Sequence, residues 1–199
     1  MLEYLLADIC VAFADRAALS MLFVAFMCGG AACAEPLGTN PTSFEVVAYD
    51  VELTPDFKNA SVSGVERIRL RSLADSVASI SFSANSLNLV ASIDGEALVA
   101  TEVVADRLVL HLPKRLAKGQ TARLIVSFSG PAPKGLVFLG DTARATYFTC
   151  DYMICDSDRS GDKAVLDFAL RLPTGMDAVA PGRLAKVSPG GDGAVLWRW

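Results

Sequence analysis

His111 is the only histidine in 199 residues, and that count bounds the metal chemistry open to the chain. A catalytic zinc centre of the His-Glu-x-x-His kind takes two histidines and a glutamate general base from one helix. No such motif occurs, so this chain does not build that centre. His111 lies between Leu110 and Leu112 on an alternating run, which puts its imidazole on the face opposite the leucines and reads as a surface residue. A serine nucleophile would need a base, an orienting acid and a Gly-x-Ser-x-Gly elbow, and no elbow is present. Asp156, Asp158, Ser160, Gly161 and Asp167 fall at positions 1, 3, 5, 6 and 12 of a calcium-loop template. Lys163 stands where that template is apolar, and Asp167 is shorter than the usual bidentate glutamate, so a solvated acidic turn is the favoured reading.

Redox chemistry narrows to one pair. Of five cysteines, Cys10, Cys28 and Cys33 belong to the first 34 residues, leaving Cys150 and Cys155. Their spacing puts them on opposite faces of a continuous strand, so a disulfide requires the chain to turn between them. Two small buried hydrophobes is the competing reading.

Charge and composition remove further classes. The net charge is −4, with no Lys/Arg run and no aromatic residues set among basic ones, so the electrostatic footprint of a nucleic-acid partner is missing. No phosphate-cradling glycine loop stands between a strand and a helix. The hydrophobic fraction of 52% is inflated by the first 34 residues. Within them, residues 17–28 form an apolar run preceded by Arg16 and followed by Ala32, Cys33 and Ala34. Residues 1–34 therefore read as a signal peptide, with export to the periplasm or the extracellular space. The run is too short for a stable membrane span.

The elements that must position any site follow from period-two patterning. Val47, Tyr49, Val51 and Leu53 alternate with polar partners, Pro55 to Asn59 form a turn, and Val62, Gly64, Glu66, Ile68 and Leu70 make a second strand whose outward face is Arg67, Arg69 and Arg71. Further strands are predicted around Ile80, around Leu89, at Ala97–Val104 after the Asp94-Gly95 turn, and at residues 107–112, 121–129, 164–172 and 194–199. The glycine run from Pro189 to Gly193 reads as a turn between strands. No long 3.6-residue apolar stripe follows residue 40. The expected fold is all-β, an antiparallel β-sandwich or saddle-shaped pair of sheets, as one domain over 36–199.

Three segments in order resemble the N-terminal β-domain of the aminopeptidase N family of zinc metallopeptidases, the gluzincins. The first runs from Tyr49 to Leu53 and on through Phe57, Gly64 and Leu70. The second contains Leu108, Leu110, Leu112, Pro113, Gly119, Gln120, Leu124, Phe128 and Gly130, followed by Gly135 and Leu136. The third holds Tyr147, Phe148, Thr149, Cys155, Lys163, Ala164, Asp167, Pro173, Gly182 and Leu184, with Ala180 and Pro181 in place of the family's Ser-Asn.

The resemblance implies a β-domain that packs on a thermolysin-like catalytic domain and walls off the amino end of a substrate. In such proteins a Glu or Gln near the loop cysteine binds the substrate amine. Here Thr149 and Asp151 are the candidates for that substrate edge, although a solvated Asp151 is the simpler expectation. No catalytic, cofactor or metal residue is expected in this chain, zinc belonging only to a full-length relative. The expectation is thus a truncated or split N-terminal domain of an exported aminopeptidase N-like protein, inactive alone. The alternative is a free-standing secreted β-sandwich that binds a peptide or protein through a sheet edge or the loop from Cys150 to Asp162.

Overall fold

In the computed structural model, residues 43–83, 87–93, 95, 97–98, 100–104, 107–156 and 163–199 are described. The leader at 1–34 and the central part of the calcium-loop template lie outside them. Among the described residues thirteen strands account for nearly all regular structure: β1 Phe44–Asp56, β2 Ser61–Ser72, β3 Val77–Ser83, β4 Asn88–Ile93, β5 Ala97–Leu98, β6 Ala100–Val104, β7 Arg107–Leu116, β8 Thr121–Pro131, β9 Leu136–Leu139, β10 Thr142–Ala145, β11 Val165–Pro173, β12 Lys186–Gly191 and β13 Ala194–Arg198. One 3₁₀ turn covers Thr149–Asp151. The all-β expectation holds.

Eight strands form one sheet in the order β12-β13-β11-β1-β2-β8-β4-β5, and β3-β7-β6 form a second. β5, ending at Leu98, belongs to the large sheet, and β6, starting at Ala100, to the small one. Most neighbours are antiparallel, but β1 and β11 run parallel, with Ala48 opposite Val165 and Leu53 opposite Leu170. The β9–β10 hairpin stands apart as a two-stranded ribbon.

One face of the large sheet carries the core, in two clusters. Ile68 and Leu70 of β2, with Leu124 and Val126 of β8, meet Ile80, Phe82, Leu108 and Leu110 of the small sheet. Farther along the same strands, Val51, Leu53, Val62 and Phe128 are covered by Ala132, Tyr152 and Met153, which belong to the segment after β8. Burying each such aliphatic side chain contributes about 1.5–3 kcal/mol. The opposite face is charged. Arg67 and Arg198 both approach Asp50, at 3.6 and 3.4 Å, while Arg171 donates twice to Glu52 at 3.1 Å and also to the Gly190 carbonyl.

Sequence alternation misplaces the start of β1. Phe44 and Val46 are buried, whereas Val47 is only half-buried. The register with β2 slips between Val46 and Ala48, a bulge that inserts one residue and reverses which residues face inward. Two elements were not anticipated. The β9–β10 hairpin is four residues per strand, and β12 incorporates Pro189 and Gly190, which the sequence presents as turn residues. Pro189 is accommodated because β12 is an edge strand.

Gly64 marks the tightest point of the β1–β2 pair. A Cβ there would lie 2.5 Å from the Glu52 carbonyl oxygen and 2.7 Å from Phe128 Cζ. Backbone on one side and a core ring on the other leave little room to relax. The Gly64→Ala substitution is expected to cost about 3 kcal/mol, read as a lowered urea midpoint; an unchanged midpoint would contradict this packing.

Candidate functional site

The segment from Ala132 to Asp156 leaves the sheet, covers half the core and returns, and nearly every turn of it is fastened. Pro131, still opposite Ser61, is the last residue of β8, and Pro133, which has no N–H to donate, follows two residues on. Thr146 Oγ1 donates to the Lys134 carbonyl at 2.6 Å, and the Phe148 N–H donates back to the same hydroxyl. The chain then closes into the 3₁₀ turn, where the Thr149 carbonyl accepts from the N–H groups of Tyr152 and Met153.

Asp151 does not point to solvent. It is 3% exposed, and its Oδ2 accepts the Lys134 and Gly135 N–H groups at 2.9 and 2.7 Å. The solvated-carboxylate expectation is thereby corrected: the 3₁₀ turn rotates the side chain inward, onto two backbone donors that would otherwise be orphaned. Gly135 permits the approach, since a Cβ there would meet Tyr152 Cδ1 at 2.7 Å and Asp151 Cβ at 2.9 Å. Thr149 is half-buried at the surface side of the same turn.

This turn also answers the geometric requirement on the cysteines. Cys150 and Cys155 form a disulfide with their Cα atoms 5.3 Å apart. Beyond it, Cys155 exchanges backbone hydrogen bonds with Ser83 of β3, and the Asp156 N–H donates to the Tyr49 hydroxyl. Opening the disulfide in a Cys150→Ser/Cys155→Ser protein is expected to cost ~2 kcal/mol, the loop-closure entropy of so short a separation. Denaturation with and without reductant measures it. The wild type should shift on reduction and the double variant should not.

The least anticipated member is Glu66. Its position in the inward run of β2 is plain from the alternation, yet the sequence reading gave its carboxyl no role. It is fully buried between the two core clusters. Oε2 accepts the Ile154 N–H at 2.8 Å, while Oε1 has no hydrogen-bond partner among the described residues. Burial pushes the carboxyl up from 4.5 to about 8, opposed by the Ile154 N–H. The side chain is therefore a neutral acid at pH 7, pinning the far end of the disulfide loop to the centre of the sheet.

His111 is exposed on β7, with Nε2 2.9 Å from Glu102 Oε1 on β6. Among the described residues no three His, Cys, Asp or Glu side chains are grouped so as to hold a metal ion. With one histidine and both loop cysteines in a disulfide, the donor set does not fit the zinc of a metallopeptidase. No helix among the described residues is long and apolar enough to cross a membrane.

The described residues form a β-sheet domain with one loop tied down by Asp151, Glu66 and the Cys150–Cys155 disulfide. Its fold is that of part of the M1 zinc metallopeptidases of the aminopeptidase N family. The M1 zinc metallopeptidase from Deinococcus radiodurans superposes with a TM-score of 0.67 at 19% identity, over 79% of this chain and 38% of that one. A mutant of the enzyme from the same organism, bound to a Tyr-Ser-Ala substrate, gives 0.68 at 20% identity, over 79% and 39%. A mutant two-domain M1 zinc metallopeptidase bound to L-arginine gives 0.69 at 18% identity, over the same shares. The chain thus spans less than two-fifths of these structures. No family profile and no curated protein matches it.

Proposed function

We propose that this chain is the non-catalytic N-terminal β-domain of an exported aminopeptidase N-like zinc metallopeptidase, and that it packs on a catalytic domain lying outside these 199 residues. The observation that carries the reading is the fold match, which extends over 79% of this chain but only 38–39% of peptidases much longer than it. The single histidine and the missing His-Glu-x-x-His motif assign the metal chemistry elsewhere. The leader pattern and the Cys150–Cys155 disulfide support an oxidising, exported location.

In that arrangement the 134–156 loop is the working part. Asp151, Glu66 and the disulfide fix its shape, and Thr149 with the exposed Tyr147 and Phe148 is the surface it offers to a substrate's amino end or to the catalytic domain. Asp151 acts through the loop's shape, since its oxygen is already committed to two N–H groups. The deciding experiment reads the coding sequence beyond the Trp199 codon in all forward frames and assays the purified chain on aminoacyl anilides. The expected result is Gly-x-Met-Glu-Asn and His-Glu-x-x-His motifs downstream and no hydrolysis by the chain alone. Unrelated sequence in every frame, or zinc-dependent hydrolysis by the 199 residues, would overturn the reading.

A further inference from the structure

A groove of about 410 Å³ opens beside the loop but away from Thr149, between the β1–β2 turn, strand β10 and the irregular segment after β11. Leu53, Phe57, Leu136, Phe168, Leu170 and Leu172 give it an apolar lining. Asp141 and Asp177, both exposed, add two carboxylates, and among the described residues no Lys, Arg or His lines it. Its walls are backbone with open hydrogen-bonding capacity. Among the described residues, strand β10 pairs with β9 alone, and from Asp177 to Leu184 no backbone group bonds to another. Val179, in the middle of that segment, is 95% exposed.

Extended backbone with unpaired N–H and C=O groups is a template for another extended chain. An apolar floor takes alternate side chains of such a chain, and those between them project toward the rim. Two carboxylates in a lining that holds no cation among the described residues favour a positive charge there. We propose that this groove binds an extended peptide segment in which a lysine or arginine is flanked by apolar residues, the apolar side chains entering the lining and the cation meeting Asp141 and Asp177.

The test is fluorescence anisotropy of the full chain with two labelled peptides, Ala-Leu-Lys-Leu-Ala and Ala-Leu-Glu-Leu-Ala. The lysine peptide is expected to bind about tenfold more tightly, the scale of two exposed ion pairs. That preference should shrink with added salt. An Asp141→Asn/Asp177→Asn protein, altered only at exposed side chains, should bind the two peptides equally. A lysine peptide methylated at its central backbone nitrogen should bind about fivefold more weakly, as the loss of one backbone hydrogen bond requires. Equal binding of both peptides by the wild type, no binding of either at millimolar concentration, or a lysine preference that survives the double substitution would each overturn the assignment.

Discussion

A Glu66→Gln protein is expected to lose the component of pH-dependent stability that the wild type shows between pH 5 and pH 8. In the folded wild type the Glu66 carboxyl is raised to about 8 by burial, against 4.5 when unfolded. Below pH 4.5 both states hold the proton, and the folded protein bears no penalty. Between the two values only the folded state holds it, so stability falls as pH rises, by about 1.4 kcal/mol per unit for one proton. Above pH 8 the folded state ionises too, and the loss levels off. The full drop between the two values is about 5 kcal/mol.

Glutamine keeps an oxygen for the Ile154 N–H but cannot ionise, so its urea midpoints should vary only as the other groups dictate. At pH 8 the variant should therefore be the more stable of the two. Identical pH slopes for the two proteins would show that Glu66 is not the titrating group. Glu66→Leu provides a second reading: it also removes the slope, but leaves the Ile154 N–H without its acceptor at a cost of about 1–3 kcal/mol at every pH.

Asp151→Ala should be comparably damaging. It strips the acceptor from two N–H groups at 2.7 and 2.9 Å, one of them buried. Charge-assisted bonds of this kind are worth about 1.5–3 kcal/mol each, so a loss of roughly 3–5 kcal/mol is expected. Both bonds converge on one oxygen, and Asp151→Asn can place its amide oxygen there and retain most of that. Hydrogen exchange at the Lys134 and Gly135 amides separates local from global effects. Fast exchange in the alanine protein and near-native protection in the asparagine protein are the expected pattern. Unchanged protection in the alanine protein would remove Asp151 from the role of loop anchor.

Where the sequence was informative, it was so through strict alternation. Val62 to Leu70 on β2 and Ala122 to Phe128 on β8 read as strands because inward and outward residues differ sharply in polarity, and the structure places them so. Alternation fails where a residue is inserted, as at the Val46/Ala48 bulge, because one extra residue is invisible in a pattern of two. It also fails at β12, whose Pro189 and Gly190 are tolerated only because no strand pairs on its far side.

The site was harder to read for a different reason. Asp151 and Glu66 are acids, and acids normally sit in water. What brings them inside is a pair of backbone donors for one and a single donor within the hydrophobic core for the other, contacts that join residues 16 and 88 positions apart. The alternation did put Glu66 on the inward face. Asking what one carboxyl does among valines and leucines was the signal available.

The parallel pairing of β1 with β11 has a consequence for how the chain must be made. On a ribosome, β1 emerges early and finds β2 at once across a tight turn, but its other edge stays open until Val165 and the residues after it arrive. Until then the nascent chain therefore presents one backbone edge of residues 48–53 unpaired, beside the apolar side chains of Val51 and Leu53. The central sheet is completed from its last third, so a holding chaperone, rather than stepwise folding, suits this topology until β11 is delivered.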